Sequence, residues 1–421
     1  MQGASFSRPV WAEISRGRLI ANYRALRALV PPRVGVLAVV KANAYGHGVD
    51  LCAPIIAAAG AEWLGITSVE EGVRVRALCP QQQILVMSGL HAGEAAAALD
   101  SRLCPVVWES YHLDLLEEEA ARRGLPPQSI PVHLELDTGM ARQGVPVADS
   151  CPDSCRPDSC RPESCRPESL PELSALLARF HTRSPLRLDA VMTHFHSPEA
   201  LSDTPGATQD TANPQIAKLG AALEVIRTHG LRPTLLHAGN SATLLAGPDR
   251  TALEHLALAS GTHLMLRPGL ALYGYAPDFQ PPQQLRARLE PVLAWKTRIT
   301  SLRTLQPGAT AGYNATFRAS RVTRLALLPV GYADGYSRQL SNRGQVLLRG
   351  RRAPVAGRVS MDQITVDVTE IPNAAIGDEV VLLGEQGDDS ISAAELGVLT
   401  GTIPYEVLCD IDARVPRVLV D

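Results

Sequence analysis

The chain has 421 residues, 45% of them hydrophobic and 20% charged, with a formal net charge of -3. That length exceeds one ordinary core, so two domains are expected, and the near balance of charge gives no reason to expect nucleic acid or an anionic membrane as partner. No apolar stretch approaches the roughly 20 residues of a transmembrane helix, Met1–Pro9 lacks the apolar segment of a secretory leader, and Cys52, Cys79, Cys104 and Cys409 are scattered singly, as suits a reducing cytoplasm.

In chain order, Val10–Ile14 is a first short β run, expected to add an edge strand to a domain formed later. Between Arg16 and Tyr275, short apolar runs alternate with helix-like stretches, the pattern of a parallel sheet with helical crossovers. The runs are Val36–Val40, Trp63–Thr67, Ile84–Met87, Pro105–Trp108, Val132–Leu136, Leu188–Thr193, Thr234–Leu236 and His263–Leu266. Eight such strands are the count of a (β/α)8 barrel. A Rossmann or flavodoxin-like sheet competes, but no Gly-x-Gly-x-x-Gly follows any of these runs. Alternation in Val132–Asp137 turns Val132, Leu134 and Leu136 towards covering helices, and His133, Glu135 and Asp137 into the barrel near its mouth.

Asp149–Ser169 interrupts this pattern with a tandem Cys-Arg-Pro-Asp/Glu-Ser repeat holding Cys151, Cys155, Cys160 and Cys165. Proline in every unit forbids helix and strand interiors, and no Cys-x-x-Cys spacing points to a metal. Residues 149–169 therefore read as a low-complexity surface insertion without chemistry. From Leu285, the β-branched runs Leu293–Ser301, Arg324–Pro329, Gln345–Leu348, Gln363–Val368 and Glu379–Leu383 alternate with Gly/Pro turns. Helix returns only around Ser392–Val398. The expected fold is α/β: an N-terminal (β/α)8 TIM-like barrel over residues 15–280, plus a C-terminal mainly-β domain over 281–421 that also takes in residues 1–14.

In a barrel, the C-terminal ends of the strands form the site. The first strand ends in Lys41, followed by Tyr45 and by glycines that allow a tight turn against a ligand. A lysine there is partly desolvated, which favours the neutral amine that forms Schiff bases. The fifth strand offers Glu135, Asp137 and, one turn on, Arg142; the sixth offers His194; the seventh offers His237, Asn240 and Ser241. The eighth offers Arg267, Gly269 and Leu270. Asn240-Ser241 and Gly269-Leu270 each open a helix-like segment, whose backbone N–H groups suit a phosphate. An imine-forming lysine, a phosphate nest opposite it and an arginine between them make a seat for pyridoxal phosphate. Taken singly, His194 or His237 would read as an ordinary core histidine; their convergence on one mouth points to chemistry.

Ala38-Val-Val-Lys41-Ala-Asn-Ala-Tyr45-Gly-His-Gly48 resembles the cofactor-attachment motif of the alanine racemases, and the resemblance runs nearly end to end. Leu136-Asp-Thr-Gly-Met-Ala-Arg142, Thr193-His-Phe195, His237-Ala-Gly-Asn-Ser-Ala242 and Arg267–Gly274 carry it through the barrel. Ala311–Phe317, Pro329–Tyr336, Gly357–Gln363 and Thr402-Ile-Pro-Tyr405-Glu406 carry it through the second domain.

The resemblance implies a fold-type III enzyme that interconverts L- and D-alanine with pyridoxal phosphate and supplies D-alanine for peptidoglycan. By it, Lys41 forms the Schiff base and is one catalytic base, and Tyr313, from the partner of a homodimer with shared sites, is the other. Tyr45, Ser241, the Gly269 and Leu270 backbone and Tyr405 hold the phosphate, with Asn240 beside them, and Arg267 donates to the pyridine nitrogen. His194 links Tyr313 to Arg267, and His237 and Glu135 are supporting residues. Arg142, Met361 and Asp362 serve the substrate carboxylate and the entrance, with Tyr332 near the gate.

Three positions depart from the family pattern. Glu135 stands where many relatives have a lysine that becomes a carbamate, so a permanent carboxylate is expected to replace it without bicarbonate. Pro404 replaces the usual asparagine before Tyr405, and Ala141 replaces a glycine in the Gly-Met-Gly-Arg turn. The competing functions are a broad-specificity amino-acid racemase and a non-catalytic cofactor carrier on the same barrel. Tyr313, Met361 and the β domain argue against the carrier.

Overall fold

A computed structural model of the chain describes residues 8–147, 170–198, 214–246, 248–279 and 284–421. The Cys-Arg-Pro repeat and the expected domain boundary at 280 lie outside the described residues.

The eight barrel strands are Gly35–Val39, Trp63–Ile66, Gln83–Val86, Cys104–Val107, Ile130–Asp137, Leu186–Met192, Leu235–His237 and His263–Leu266. Each pairs in parallel with its neighbours in chain order, the eighth pairs with the first, and the fourth and fifth meet at Val106 and His133. The ring is therefore closed, and no strand edge is left for a foreign strand to join. Alternation divides each strand between two cores. Leu37, Val39, Leu85, Cys104, Val106, Met192 and Met265 pack inside the barrel. Val36, Ala38, Leu64, Ile66, Ile84, Val132, Leu134 and Leu136 pack outward with the helical layer.

The second domain is built on a sheet whose strands run Arg351–Pro354, Gln345–Leu348, Glu379–Gln386, Leu293–Arg298, Val10–Ser15 and Arg417–Val420. Ser301–Leu305, Thr323–Leu328 and Ile364–Asp367 form a second, three-stranded antiparallel sheet. Helices Ala393–Thr400 and Pro404–Cys409 follow. Val10–Ser15 is not the edge strand that its position in the chain suggested. It pairs antiparallel with Leu293–Arg298 on one side and parallel with Arg417–Val420 on the other. Both partners are distant in sequence, so no local signal marks this strand as internal. Ser15 then caps the first helix, Arg16–Ala28, its Oγ accepting from the Arg18 N–H at 3.1 Å. The chain thus passes from the β domain into the barrel without a linker.

Candidate active site

Lys41 follows the first barrel strand and begins a turn of unusual hand. Ala42, Asn43, Ala44 and Tyr45 all have φ between 52° and 56°, a short left-handed helical stretch without glycine. Each such residue costs about 1–2 kcal/mol over a right-handed one, so the surroundings must hold the turn. The sequence suggested that glycines make this turn; Gly46 and Gly48 instead lie just beyond it. Asn43 Oδ1 accepts from the Val49 N–H at 2.9 Å, and His47 Nδ1 lies 2.9 Å from the Tyr45 carbonyl oxygen. A Cβ on Gly46 would sit 2.0 Å from the carbonyl oxygen of Leu408, so the turn lies directly on the helix that carries Tyr405. Burial, then the positive charge of Arg142, lowers the Lys41 pKa and favours the neutral amine.

Opposite Lys41, two short helical segments begin side by side. Asn240 caps Ser241–Leu245 through its Oδ1, which accepts from Ala242 N–H at 2.8 Å. Ser241 Oγ accepts from the N–H groups of Gly269 and Ala271 at 3.1 and 3.2 Å, joining this start to that of Leu270–Tyr273. A Cβ on Gly269 would lie 2.2 Å from Tyr45 Oη, so only glycine admits the phenol here. Burial pushes the Tyr45 phenol well up in pKa, which keeps it a hydrogen-bond donor. Tyr405 enters from the second domain, its ring 6.1 Å from that of Tyr45. Pro404 occupies the first turn of its helix, where the missing N–H costs no helical bond.

The floor is Arg267, 4% exposed. Its Nη1 donates to the His237 carbonyl at 2.7 Å and to His237 Nδ1 at 3.2 Å; its Nη2 donates to the Thr193 carbonyl at 2.8 Å and reaches His194 Nδ1 at 3.4 Å. Desolvation draws Arg267 down to about 10, with Glu135 opposing, so it remains a cation at neutral pH. His194 is driven down to about 3 by burial and by Arg267, and is a neutral imidazole.

Glu135 is buried, and its Oε2 accepts from Gln143 Nε2, which also donates to the Met87 carbonyl at 2.9 Å. Desolvation pushes this carboxyl up to about 7, against the pull of Gln143, Arg267 and Arg142. The permanent charge suggested by the sequence is thus conditional, because a buried carboxylate lacks the hydration an exposed one has. At Ala141 the backbone takes φ 54°, the conformation a glycine would hold without strain.

Lys41, Tyr45, Glu135, Arg142, His194, Asn240, Ser241, Arg267, Gly269, Leu270 and Tyr405 all line one cavity of about 550 Å3. His237 lies behind Arg267, fully buried. Tyr313, Tyr332, Met361 and Asp362 do not line it; they are exposed on the β domain, Tyr313 at 68%. Tyr332 and Ala333 donate through their N–H groups to the carbonyls of Ser360 and Met361, which ties two of these segments together. Gly312, before Tyr313, packs against Gly357 and Arg358 of the segment leading to Met361.

The cavity also holds Gln143, Met192 and Cys409, which the sequence reading did not single out. Met192 shares the inward face of its strand, so periodicity marks it; Cys409 sits one helical turn after Tyr405, in a helix that the sequence reading did not expect. Gln143 has no such signal.

Comparison with known proteins places this geometry. Residues 14–156 and 165–277 match the family model for the alanine racemase N-terminal domain, and residues 292–419 that for the C-terminal domain. An alanine racemase of Symbiobacterium thermophilum is 38% identical over 411 residues, covering 97% of both chains. The crystal structure of alanine racemase from a D-cycloserine-producing Streptomyces lavendulae superposes with a TM-score of 0.79 at 30% identity, covering 99% of this chain and 98% of that one. That of Bartonella henselae, with covalently bound pyridoxal phosphate, superposes with a TM-score of 0.75 at 25% identity, covering 98% and 99%. With both halves of the chain matched in order, and Lys41, Arg267, Tyr45, Ser241 and Gly269 gathered in one cavity at the barrel mouth, this protein belongs to the alanine racemase family of fold-type III pyridoxal-phosphate enzymes.

Proposed function

We propose that this protein interconverts L- and D-alanine, with pyridoxal phosphate seated in the barrel cavity and Lys41 and Tyr313 as the two bases. The observation that carries the reading is the convergence of Lys41, Arg267 and the Tyr45–Ser241–Gly269 cradle in one cavity. The residues fit the cofactor. Two helix starts and a phenol suit a phosphate, and the close approach of Tyr45 Oη to Gly269 leaves no room for a larger residue. A cavity of about 550 Å3 takes the cofactor and a small amino acid.

When bound, the cofactor supplies an electron sink for the negative charge left at Cα after proton loss. The protein then has to move protons and hold orientation. Lys41 Nζ carries the proton on one face of Cα. Inversion requires a second base on the other face, since one base alone returns the proton to the side it came from. Tyr313, exposed on its own chain, meets that need from a second copy, which makes the active form a homodimer. Arg267 stays charged and would donate to the pyridine nitrogen of the bound cofactor, which would disfavour protonation there. His194 Nδ1 accepts from Arg267, leaving Nε2 to face Tyr313. Arg142 holds the substrate carboxylate with Met361 and Asp362, and Tyr332 borders the entrance. The product serves peptidoglycan synthesis in the cytoplasm.

The test is purified protein with L-alanine in deuterated water. Deuterium at Cα together with complete loss of optical rotation, both abolished by Lys41→Ala, is the expected result. Bound cofactor without exchange on alanine overturns the substrate assignment.

A further inference from the structure

The left-handed turn after Lys41 needs an external hold on its first N–H groups, because a helical start leaves them without partners inside the helix. Glu71 supplies one. It lies in the first turn of helix Val69–Leu78, which follows the second barrel strand, where Ser68 Oγ accepts from its N–H. Its Oε1 accepts from the Ala42 N–H at 2.7 Å. Its Oε2 accepts from the Thr67 N–H at 3.0 Å and from Thr67 Oγ1 at 3.1 Å. One carboxylate therefore spans two successive strand ends, gripping the residue next to the lysine with one oxygen and the neighbouring strand end with the other.

We propose that Glu71 is the positioning residue for Lys41: its carboxylate clamps the left-handed turn that begins at the lysine, and from there it acts as a counter-charge to the amine. The proposal rests on the reading of Lys41 as the reactive amine. Around that amine, Arg142 and Arg267 disfavour its protonation and Glu71 and Cys409 favour it, with the neutral imidazole of His194 also facing it. Among them, Glu71 alone also bonds the backbone of the turn. A neutral glutamine in its place removes the charge and can keep its one acceptor oxygen on Ala42, though not on the Thr67 N–H as well.

The experiment labels the Lys41 amine in cofactor-free protein by reductive methylation across pH, read by mass spectrometry, with amide exchange at Ala42 followed in parallel. Glu71→Gln should lower the labelling midpoint by about one pH unit, with Ala42 exchange sped less than in Glu71→Ala. Glu71→Ala should lower it likewise and speed Ala42 exchange about tenfold or more, the loss of one charge-assisted hydrogen bond. Thr67→Val removes one of the three donors to Glu71 and should speed Ala42 exchange without moving the midpoint, which keeps the test open if Glu71→Ala does not fold. An unmoved midpoint in folded Glu71→Gln overturns the counter-charge, and unchanged exchange in Thr67→Val and Glu71→Ala overturns the clamp. Neither readout needs cofactor or substrate, so a protein that failed to bind pyridoxal phosphate would sink the functional reading and leave this one measured.

Discussion

His237 Nε2 lies 2.9 Å from His133 Nδ1, both rings fully buried inside the barrel beneath Arg267. Because Arg267 can only donate, His237 Nδ1 must accept, which puts its proton on Nε2 and makes His133 Nδ1 an acceptor in turn. The arginine thus sets the tautomer of two histidines in sequence. His133→Leu leaves the His237 N–H without that acceptor and should destabilise the fold by about 1–3 kcal/mol in urea unfolding. Burial holds His133 down at about 3, below its ordinary 6.5. Its contribution is therefore present above about pH 6.5 and is lost as pH falls towards 3, so the variant should lose less stability on acidification than the wild type. An acid response identical to that of the wild type would count against this relay.

Glu135 has the opposite linkage. Its folded value of about 7 lies above the ordinary 4.5, so its relative stabilisation is complete below about pH 4.5 and is lost as pH rises through 7. Glu135→Gln should be more stable than wild type at pH 8, by about 3 kcal/mol at most, with the difference vanishing near pH 4.5. Denaturation at the two pH values checks it. Stripping carbon dioxide and bicarbonate from the assay should leave wild-type turnover unchanged, since no carbamate is needed at this position.

Gly269→Ala drives a methyl group to within 2.2 Å of Tyr45 Oη, and that ring is wedged between Tyr273 and Tyr405. The phenol must leave the cradle. Pyridoxal-phosphate affinity, titrated by fluorescence, should fall about tenfold or more, the loss of one hydrogen bond to a charged group.

Ala141 is held at φ 54° by Asp137, whose Oδ1 accepts from the N–H groups of Gly139 and Ala141 at 2.9 and 3.0 Å. Ala141→Gly keeps both bonds and removes the Cβ penalty. It should raise stability by about 1 kcal/mol, seen as a small upward shift in Tm.

Mixing two inactive variants tests the shared site. Lys41→Ala and Tyr313→Phe should regain activity when unfolded and refolded together. Half of the dimers are then hybrids, and half of the hybrid sites carry both bases, so about one quarter of wild-type activity is expected. No recovery in a mixture shown to contain hybrids would place the second base elsewhere.

The barrel was legible because buried strands announce themselves as short apolar runs, and all eight lie within two residues of their expected starts. The site inside it was legible because chemistry at a barrel mouth comes from strand ends, which those runs locate. Pairings between distant segments were not. Arg417–Val420, half-buried along its length, has no alternation to mark it, so the internal place of Val10–Ser15 went unread. The hand of the Lys41 turn was equally hidden, since Asn43 alone of Ala42, Asn43, Ala44 and Tyr45 tolerates it readily, and then as a single residue. Tyr313, Tyr332, Met361 and Asp362 were placed by resemblance alone, and within one chain they lie outside the cavity that holds the lysine.

The contact between Gly46 and Leu408 joins the lysine turn of the barrel to the Tyr405 helix of the β domain. The seat is therefore a seam, and neither half of the chain owns it. A chimaera that grafts the β half of one relative onto the barrel of another would have to reproduce this backbone-to-backbone touch before it could hold a phosphate. Selection on the reaction acts on the two halves as one inherited block, and recombination near their junction should be the exchange least tolerated.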